Sequence, residues 1–334
     1  MQVNGVRRPA ELPGLTPKLI GRSGEIHRLV DELAVPGAFR TVSGPAGAGK
    51  SALAVNVARD VAHHYPDGQL YVDLHARPPD ARTVLARLLR SLGADPRPWT
   101  GLDELVACYR SATAGRRLLL VLDNADDTAQ VLPLLPAGTS CSVLITSRLR
   151  LELPEAKRLH LAPLPEPDAL ALLHHLSGTG PVDAADAREL VRLCDYLPLA
   201  IGIAAAKLAA SCRWTSAKLV RHLRDDARRL DVLTDDTDGQ RSVRESLLAG
   251  YHLVRRLPEG LEAARLFRLI GQREVYRIDA RALARRTGFA ETRSKALLEL
   301  LADAQLLEPI APGRYRMPAL TRLLATELAH TDHP

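Results

Sequence analysis

The spacing of apolar residues changes near residue 165. Between residues 19 and 161, short apolar runs alternate with stretches whose apolar positions recur every three or four residues. The first kind fits strands and the second fits helices. The strand-like runs are Phe39-Arg40-Thr41-Val42-Ser43, Gln69-Leu70-Tyr71-Val72-Asp73-Leu74, Leu118-Leu119-Leu120-Val121-Leu122, Ser142-Val143-Leu144-Ile145 and Arg158-Leu159-His160-Leu161. Helical spacing predicts helices over 52–64, with Leu53, Val57 and Val61 on one face, and over 83–92 and 103–114. A run with no polar alternation, as at 118–122, is expected where both faces of a sheet are covered. Repeated strand–helix units predict a three-layer α/β domain on a parallel sheet with right-handed crossovers.

Beyond residue 165 the strand spacing disappears. Helical periodicity covers 168–175, 184–194, 198–209 and 216–223, which reads as a small helical bundle. An acidic, polar stretch at 234–239 reads as a hinge. Helices follow it, then a Thr287-Gly288 turn and a helix over 291–302. Leu306-Leu307-Glu308-Pro309-Ile310 and Arg314-Tyr315-Arg316-Met317, joined by Ala311-Pro312-Gly313, read as a β-hairpin before a last helix at 319–329. That order predicts a winged helix. Residues 1–18, with several prolines and glycines, read as a linker. The expected domains are 19–162, 163–232 and 233–330.

Between the first strand and its helix stands Gly44-Pro45-Ala46-Gly47-Ala48-Gly49-Lys50-Ser51, a Walker A phosphate loop. Gly44, Gly47 and Gly49, with Ala46 and Ala48, let successive backbone N–H groups converge on a β-phosphate. The helix that opens at Ala52, just after Lys50 and Ser51, adds its partial positive charge. Lys50 is expected to bridge β and γ oxygens, and the Ser51 hydroxyl to hold Mg²⁺. Strand, loop and helix together predict nucleotide binding.

The apolar third run ends in Asp123, a Walker B candidate. A carboxylate at the end of a parallel strand sits where open α/β sheets bind ligands, and it can hold Mg²⁺ directly or through water. The competing reading is a cap on the next helix. Many P-loop ATPases follow this aspartate with a second acid that polarises water; here the next residue is Asn124, which cannot take a proton. Asp126 and Asp127 follow but are weak candidates for that role. Slow turnover is expected. Arg148, in Thr146-Ser147-Arg148 after the fourth strand, is placed to sense a γ-phosphate, the alternative being a surface salt bridge.

Composition narrows the class. The chain has 334 residues, 46% of them hydrophobic, which is enough for two or three cores. No apolar run approaches a membrane span and no signal-peptide pattern opens the chain, so a cytoplasmic location is expected. Cys108, Cys141, Cys194 and Cys212 form no C-x-x-C pair and read as reduced, mostly buried thiols. The net charge of +6 rests almost wholly on arginine, interspersed with acids. Without a basic-aromatic pattern, coding bias explains this better than nucleic-acid binding does.

In order, these segments resemble the NB-ARC family of STAND nucleotide switches. The landmarks are Ile20-Gly21-Arg22-Ser23-Gly24-Glu25, the phosphate loop, Gly68-Gln69-Leu70-Tyr71-Val72-Asp73-Leu74, Leu120-Val121-Leu122-Asp123-Asn124-Ala125, Leu144-Ile145-Thr146-Ser147-Arg148 and Leu197-Pro198-Leu199-Ala200. The wording looks closest to the actinobacterial branch, found in large regulators of the Streptomyces antibiotic regulatory protein type. There, DNA-binding and transcription-activation domains precede this module and helical repeats often follow. This chain contains neither flank, so it looks like an isolated central module or a short relative, with DNA contacted through other domains.

The resemblance implies a P-loop domain with sheet order 5-1-4-3-2, a helical domain and a winged helix folded onto the nucleotide. It implies that Ile20 and Gly21 lie beside adenine, Arg22 near the nucleotide, Arg148 in the sensor-1 place, and Pro198 with Leu199 over adenine and ribose. It also implies ADP held in a closed state, exchange to Mg²⁺·ATP, opening and self-association. One departure matters: the Met-His-Asp triplet that typically opens the last winged-helix helix is Met317-Pro318-Ala319 here. Proline has no side-chain donor and alanine no carboxylate. Weaker coupling to ADP is expected, or a substitute contact from a neighbour such as Arg316 or Arg322. Two rival readings are a brisk P-loop ATPase or kinase, and a DNA-binding module using Arg281, Arg285, Arg286 and Arg293 around the turn.

Overall fold

The computed structural model of the chain describes residues 8–14, 19–74, 80–97, 101–178, 182–210, 214–235, 242–272 and 277–331. They form two compact units. The first comprises Met1–Gly44 and Lys50–Leu161, and the second Pro45–Gly49 with Ala162–Pro334.

In the first unit, α1 (Ser23–Leu33) precedes β1 (Phe39–Ser43) and α2 (Lys50–Asp60). Then come β2 (Gln69–Asp73), α3 (Ala81–Ser91), α4 (Leu102–Thr113), β3 (Leu119–Ala125), the single turn α5 (Thr128–Val131), β4 (Ser142–Ser147) and β5 (Lys157–His160). The strands pair in parallel in the order β2-β3-β4-β1-β5, as a P-loop α/β sheet requires. All of β4 and nearly all of β3 are buried, which explains their unbroken apolar runs. Helix α3 begins where the Asp80 carboxylate accepts from the Arg82 N–H at 2.7 Å, and it buries Val84, Leu85, Leu88 and Leu89 on one face. The last turn of the helix read over 52–64 departs from α geometry: α2 stops at Asp60 and residues 62–64 form a 3₁₀ turn.

The second unit opens with α6 (Glu166–Ser177), α7 (Ala184–Leu193), α8 (Pro198–Ala210), α9 (Ser216–Arg224) and the turn α10 (Arg229–Val232). It continues with α11 (Val243–Arg256), α12 (Gly260–Gly271), β6 (Arg277–Asp279), α13 (Ala280–Thr287), α14 (Glu291–Asp303), β7 (Glu308–Ala311), β8 (Arg314–Arg316) and α15 (Ala319–Thr331). The strands make an antiparallel sheet in the order β6-β8-β7. The hairpin expected from 306–317 is β7–β8; β6, three residues long, carries too little pattern to read from sequence. Leu320, Leu323 and Leu324 of α15 share one apolar core with Leu173, Leu190, Ile201 and Leu219 of α6–α9. The acidic stretch read as a hinge lies mostly outside the described residues. Cys141 and Cys194 are buried and Cys108 half-buried; Cys212 lies outside the described residues.

Candidate functional site

The phosphate loop departs from β1 at Gly44, whose φ of +157° no side chain would share comfortably. A Cβ there would lie 2.3 Å from the Leu161 carbonyl oxygen, and the Leu161 N–H is itself fixed to the Ser43 carbonyl at 2.7 Å. Gly47 and Gly49 are left-handed, with φ of +77° and +93°. A Cβ on Gly49 would meet nothing within 4 Å, so the loop leaves open space there. Lys50 is buried, and its Nζ donates to the Gly44 carbonyl at 2.8 Å, clasping the loop's two ends. Burial pushes the Lys50 ammonium down to about 7; the nearby Arg148 guanidinium adds to this, and Asp123 opposes it. Burial also disfavours charge on Arg148. Lys50, with the Arg148 guanidinium and the buried Asp123 carboxylate both acting on it and Asp126 acting on Arg148, makes a charged pole suited to polyphosphate oxygens. These residues fit a nucleotide, with Ser51 and Asp123 as the groups that would hold Mg²⁺.

Asp123 is only 2% exposed. The pairing of β3 with β4 shifts register between Leu122 and Ala125, and Asn124 takes a left-handed φ of +57°. Asparagine tolerates this conformation better than most residues, and such a bulge re-aims its neighbours. The Thr146 hydroxyl donates to Asp123 Oδ1 and accepts from the Asn124 N–H at 2.9 Å. The Tyr71 hydroxyl donates to Oδ2 at 2.8 Å, and Asn124 Nδ2 lies 3.3 Å from the same oxygen. Asp73 also binds Asn124, its Oδ1 accepting from Nδ2 at 3.1 Å. The cap of α5 is Asp127, not Asp123: its carboxylate accepts from the Gln130 N–H at 2.7 Å. Asn124 therefore shapes the backbone at the position where a second acid would stand. Sequence reasoning did not single out Tyr71 or Thr146 as partners of Asp123; their chain separation leaves no local signal.

Ile20, Gly21 and Arg22 lie just before α1 in the first unit, Arg22 at its N-cap position. Gly21 is left-handed, with φ of +74°, and the buried Arg22 pairs with Glu25 at 2.9 Å. In the second unit, Pro198 opens α8 and the Leu199 N–H donates to the Gly47 carbonyl at 3.1 Å. A Cβ on Gly47 would come within 3.0 Å of Leu199 Cβ, so glycine allows this approach.

The altered triplet has a specific setting. Met317 is buried, and at the start of α15 the Leu320 N–H donates to the Asp195 carboxylate at 2.7 Å. Asp195 belongs to the left-handed pair Asp195-Tyr196 just before α8. Arg322 of α15 binds Asp226 at 3.0 Å, whereas Arg316 pairs with Glu308 in its own hairpin. Arg244 of α11 grips both Glu327, at 2.9 Å, and Asp231, at 2.8 Å. Thus Asp195 caps the start of α15 from another element, and Arg322 adds an ion pair.

Burial pushes the Asp195 carboxyl up to about 6, outweighing the Leu320 N–H and Arg229, which pull it down. A folded-state value above the unfolded one means that the folded chain holds this proton more tightly. The associated stabilisation is present at about pH 4 and is lost as pH rises through about 6. Asp195→Asn should remove that pH dependence while keeping a carbonyl acceptor. Asp195→Ala should cost about 1 kcal/mol through the lost cap. Urea unfolding at pH 5 and pH 7.5 checks both, and an Asn variant as damaged as the Ala variant would show that the charge itself is needed.

Two of the arginines that suggested DNA contact are paired with acids. Arg281 meets Glu291 at 3.1 Å, and Arg293 meets Glu262 at 2.7 Å and also Glu259. The Arg286 side chain lies outside what the structure describes. Among the described residues no helix is long and apolar enough to cross a membrane.

Residues 36–140 match the AAA domain family. Over 97% of its length the chain is 40% identical to the regulatory protein AfsR of Streptomyces griseus, of which it spans 34%. To AfsR of Streptomyces coelicolor it is 39% identical over 96% of its length, spanning 33% of that protein. The chain thus covers about a third of these relatives. In fold it is similar to the Walker-type ATPase of Pyrococcus abyssi, with a TM-score of 0.55 at 15% identity, covering 97% of this chain and 99% of that one. The chain carries a P-loop AAA-type domain and is similar in sequence to AfsR regulators.

Proposed function

We propose that the chain is a nucleotide-dependent switch module of a transcriptional or signalling regulator, of the NB-ARC/STAND kind. It holds ADP in a closed state, exchanges it for Mg²⁺·ATP, and hydrolyses slowly if at all. The observation that carries this reading is the buried Lys50 of the phosphate loop, on which both Arg148 and Asp123 act, with Asn124 forming a backbone bend where a fast ATPase would place its second acid. The catalytic set of this reading is Lys50, Asp123 and Arg148. Its binding set adds Ile20, Gly21, Arg22, the loop residues 44–52, Pro198 and Leu199. Similarity to AfsR supports a regulatory role. In this reading self-association follows opening, and DNA is contacted through other domains of the regulator.

In this reading 19–162 is the nucleotide domain, 163–232 the helical domain and 233–330 a winged helix. The succession α12-β6-α13-α14-β7-β8, with sheet order β6-β8-β7, supports the last assignment. The pairing of Arg281 and Arg293 with acids favours a packed switch element over a DNA-reading one.

Arg148→Ala should weaken ATP by about tenfold or more and ADP much less, since only ATP offers a γ-phosphate to the guanidinium. Nucleotide titrations check this, and equal losses would remove Arg148 from γ-phosphate sensing. Multiple-turnover kinetics test the switch reading as a whole. Turnover well below one per second supports it, and a rate of about 10 per second, ordinary for an enzyme, contradicts it.

A further inference from the structure

The outer edge of β2 is covered by the segment just before the domain. Ala10 bridges Gln69 in parallel, the Gln69 N–H donates to the Pro9 carbonyl at 2.7 Å, and the Glu11 N–H donates to the Gln69 carbonyl at 3.1 Å. Gly68 permits the approach: with φ of +118°, a Cβ there would stand 2.4 Å from the Pro9 carbonyl oxygen. Residues 9–11 thus act as a short extra strand on an edge that would otherwise present unpaired backbone.

The segment is tied to one residue in particular. Glu11 Oε2 accepts from the Tyr71 N–H at 3.3 Å and from Arg87 Nη1 at 3.0 Å. Arg87 Nη2 in turn donates to the Tyr71 carbonyl at 2.6 Å. Both polar groups of the Tyr71 backbone are therefore held by the Glu11–Arg87 pair. The Tyr71 side chain reaches across to β3, where its hydroxyl meets Asp123 Oδ2 at 2.8 Å. Tyr71 pairs in register with Val121, so Asp123 is its diagonal neighbour, a distance a long side chain spans. One residue joins the edge segment to the Walker B carboxylate.

We propose that Tyr71 is a positioning residue for Asp123, and that through it the docking of residues 9–11 on β2 is coupled to binding of Mg²⁺·nucleotide. Asp123 offers two oxygens, one fixed by Thr146 and the other by Tyr71. Partners of a metal-binding carboxylate set its orientation, and losing one typically costs about 10- to 100-fold in metal affinity. The Glu11–Arg87 clasp sets where the Tyr71 backbone lies, so releasing the segment loosens the hydroxyl's hold on Asp123. Coupling of this kind is reciprocal: a metal-nucleotide that needs Asp123 oriented must also hold the segment down. Strain or release applied to the chain ahead of the domain would then reach the nucleotide.

This proposal rests on the nucleotide-switch reading. Its test uses the whole chain and measures ADP and ATP affinity in Mg²⁺ and in EDTA for the unsubstituted chain, Tyr71→Phe, Glu11→Ala and the double variant. The ratio of the two affinities is the Mg²⁺-dependent gain. It should fall about tenfold in Tyr71→Phe and less in Glu11→Ala. It should fall no further in the double variant than in Tyr71→Phe, while affinities in EDTA stay level. In the unsubstituted chain, which needs no variant to fold, Mg²⁺·nucleotide should slow amide hydrogen exchange at Glu11 and Tyr71. That protection of Glu11 should vanish in Tyr71→Phe. A gain untouched by either substitution, additive losses in the double variant, or exchange at Glu11 indifferent to Mg²⁺·nucleotide would overturn the coupling alone. An unsubstituted chain with no nucleotide affinity would overturn the switch reading and this proposal together.

Discussion

Lys50→Ala is expected to abolish tight nucleotide binding. The ammonium is the buried cation of the loop, and each charge-assisted bond it makes to a phosphate is worth about 1.5–3 kcal/mol. Losing contacts to both β and γ oxygens should weaken binding by at least about a hundredfold. The ligand-free fold responds differently. It loses the bond from Nζ to the Gly44 carbonyl but is relieved of a cation whose burial lowers its proton affinity to about 7. The Lys50→Ala protein should therefore fold and melt close to the unsubstituted chain while failing to bind ADP or ATP. Isothermal titration and a thermal melt separate the two effects. Retained affinity would remove the phosphate loop from the site.

Asp123→Ala is expected to combine the largest loss of stability with loss of the metal's contribution. Truncating the carboxylate leaves the buried Thr146 hydroxyl and the Tyr71 hydroxyl without their acceptor, and the Asn124 amide without one of its two. Stranded buried donors cost about 1–3 kcal/mol each, and partial relaxation brings the expected total to about 2–4 kcal/mol. Mg²⁺ should then add nothing to nucleotide affinity. Denaturant unfolding gives the first number, and titrations with and without Mg²⁺ give the second. A persistent Mg²⁺ gain would place the metal on other groups.

The parallel sheet was legible because its central strands β3 and β4 are buried on both faces and write unbroken apolar runs into the chain; the five strands pair in the order that the family resemblance implies. Helix α1 and strand β6 were not legible in this way. Helix α1 is a mostly polar surface helix that buries only Leu29 and Leu33, and β6 is three residues long. The candidate site divides along the same physical line. Its glycines and Lys50 stand in one contiguous motif because a phosphate cradle is built from consecutive backbone groups. The partners of Asp123 and the cap on α15 were hidden because each joins residues far apart in sequence: Tyr71 to Asp123, and Asp195 to Leu320. Asn124 shows the limit most clearly. Its chemistry told of a missing acid, and only the backbone told of a left-handed bend.

The nucleotide carried by the purified protein tests the switch most directly. Denaturing the protein and separating what it releases by chromatography should yield one ADP per chain, with none from Lys50→Ala. An unsubstituted chain that releases no nucleotide, or a Lys50→Ala chain that releases as much, would contradict a closed ADP-holding switch.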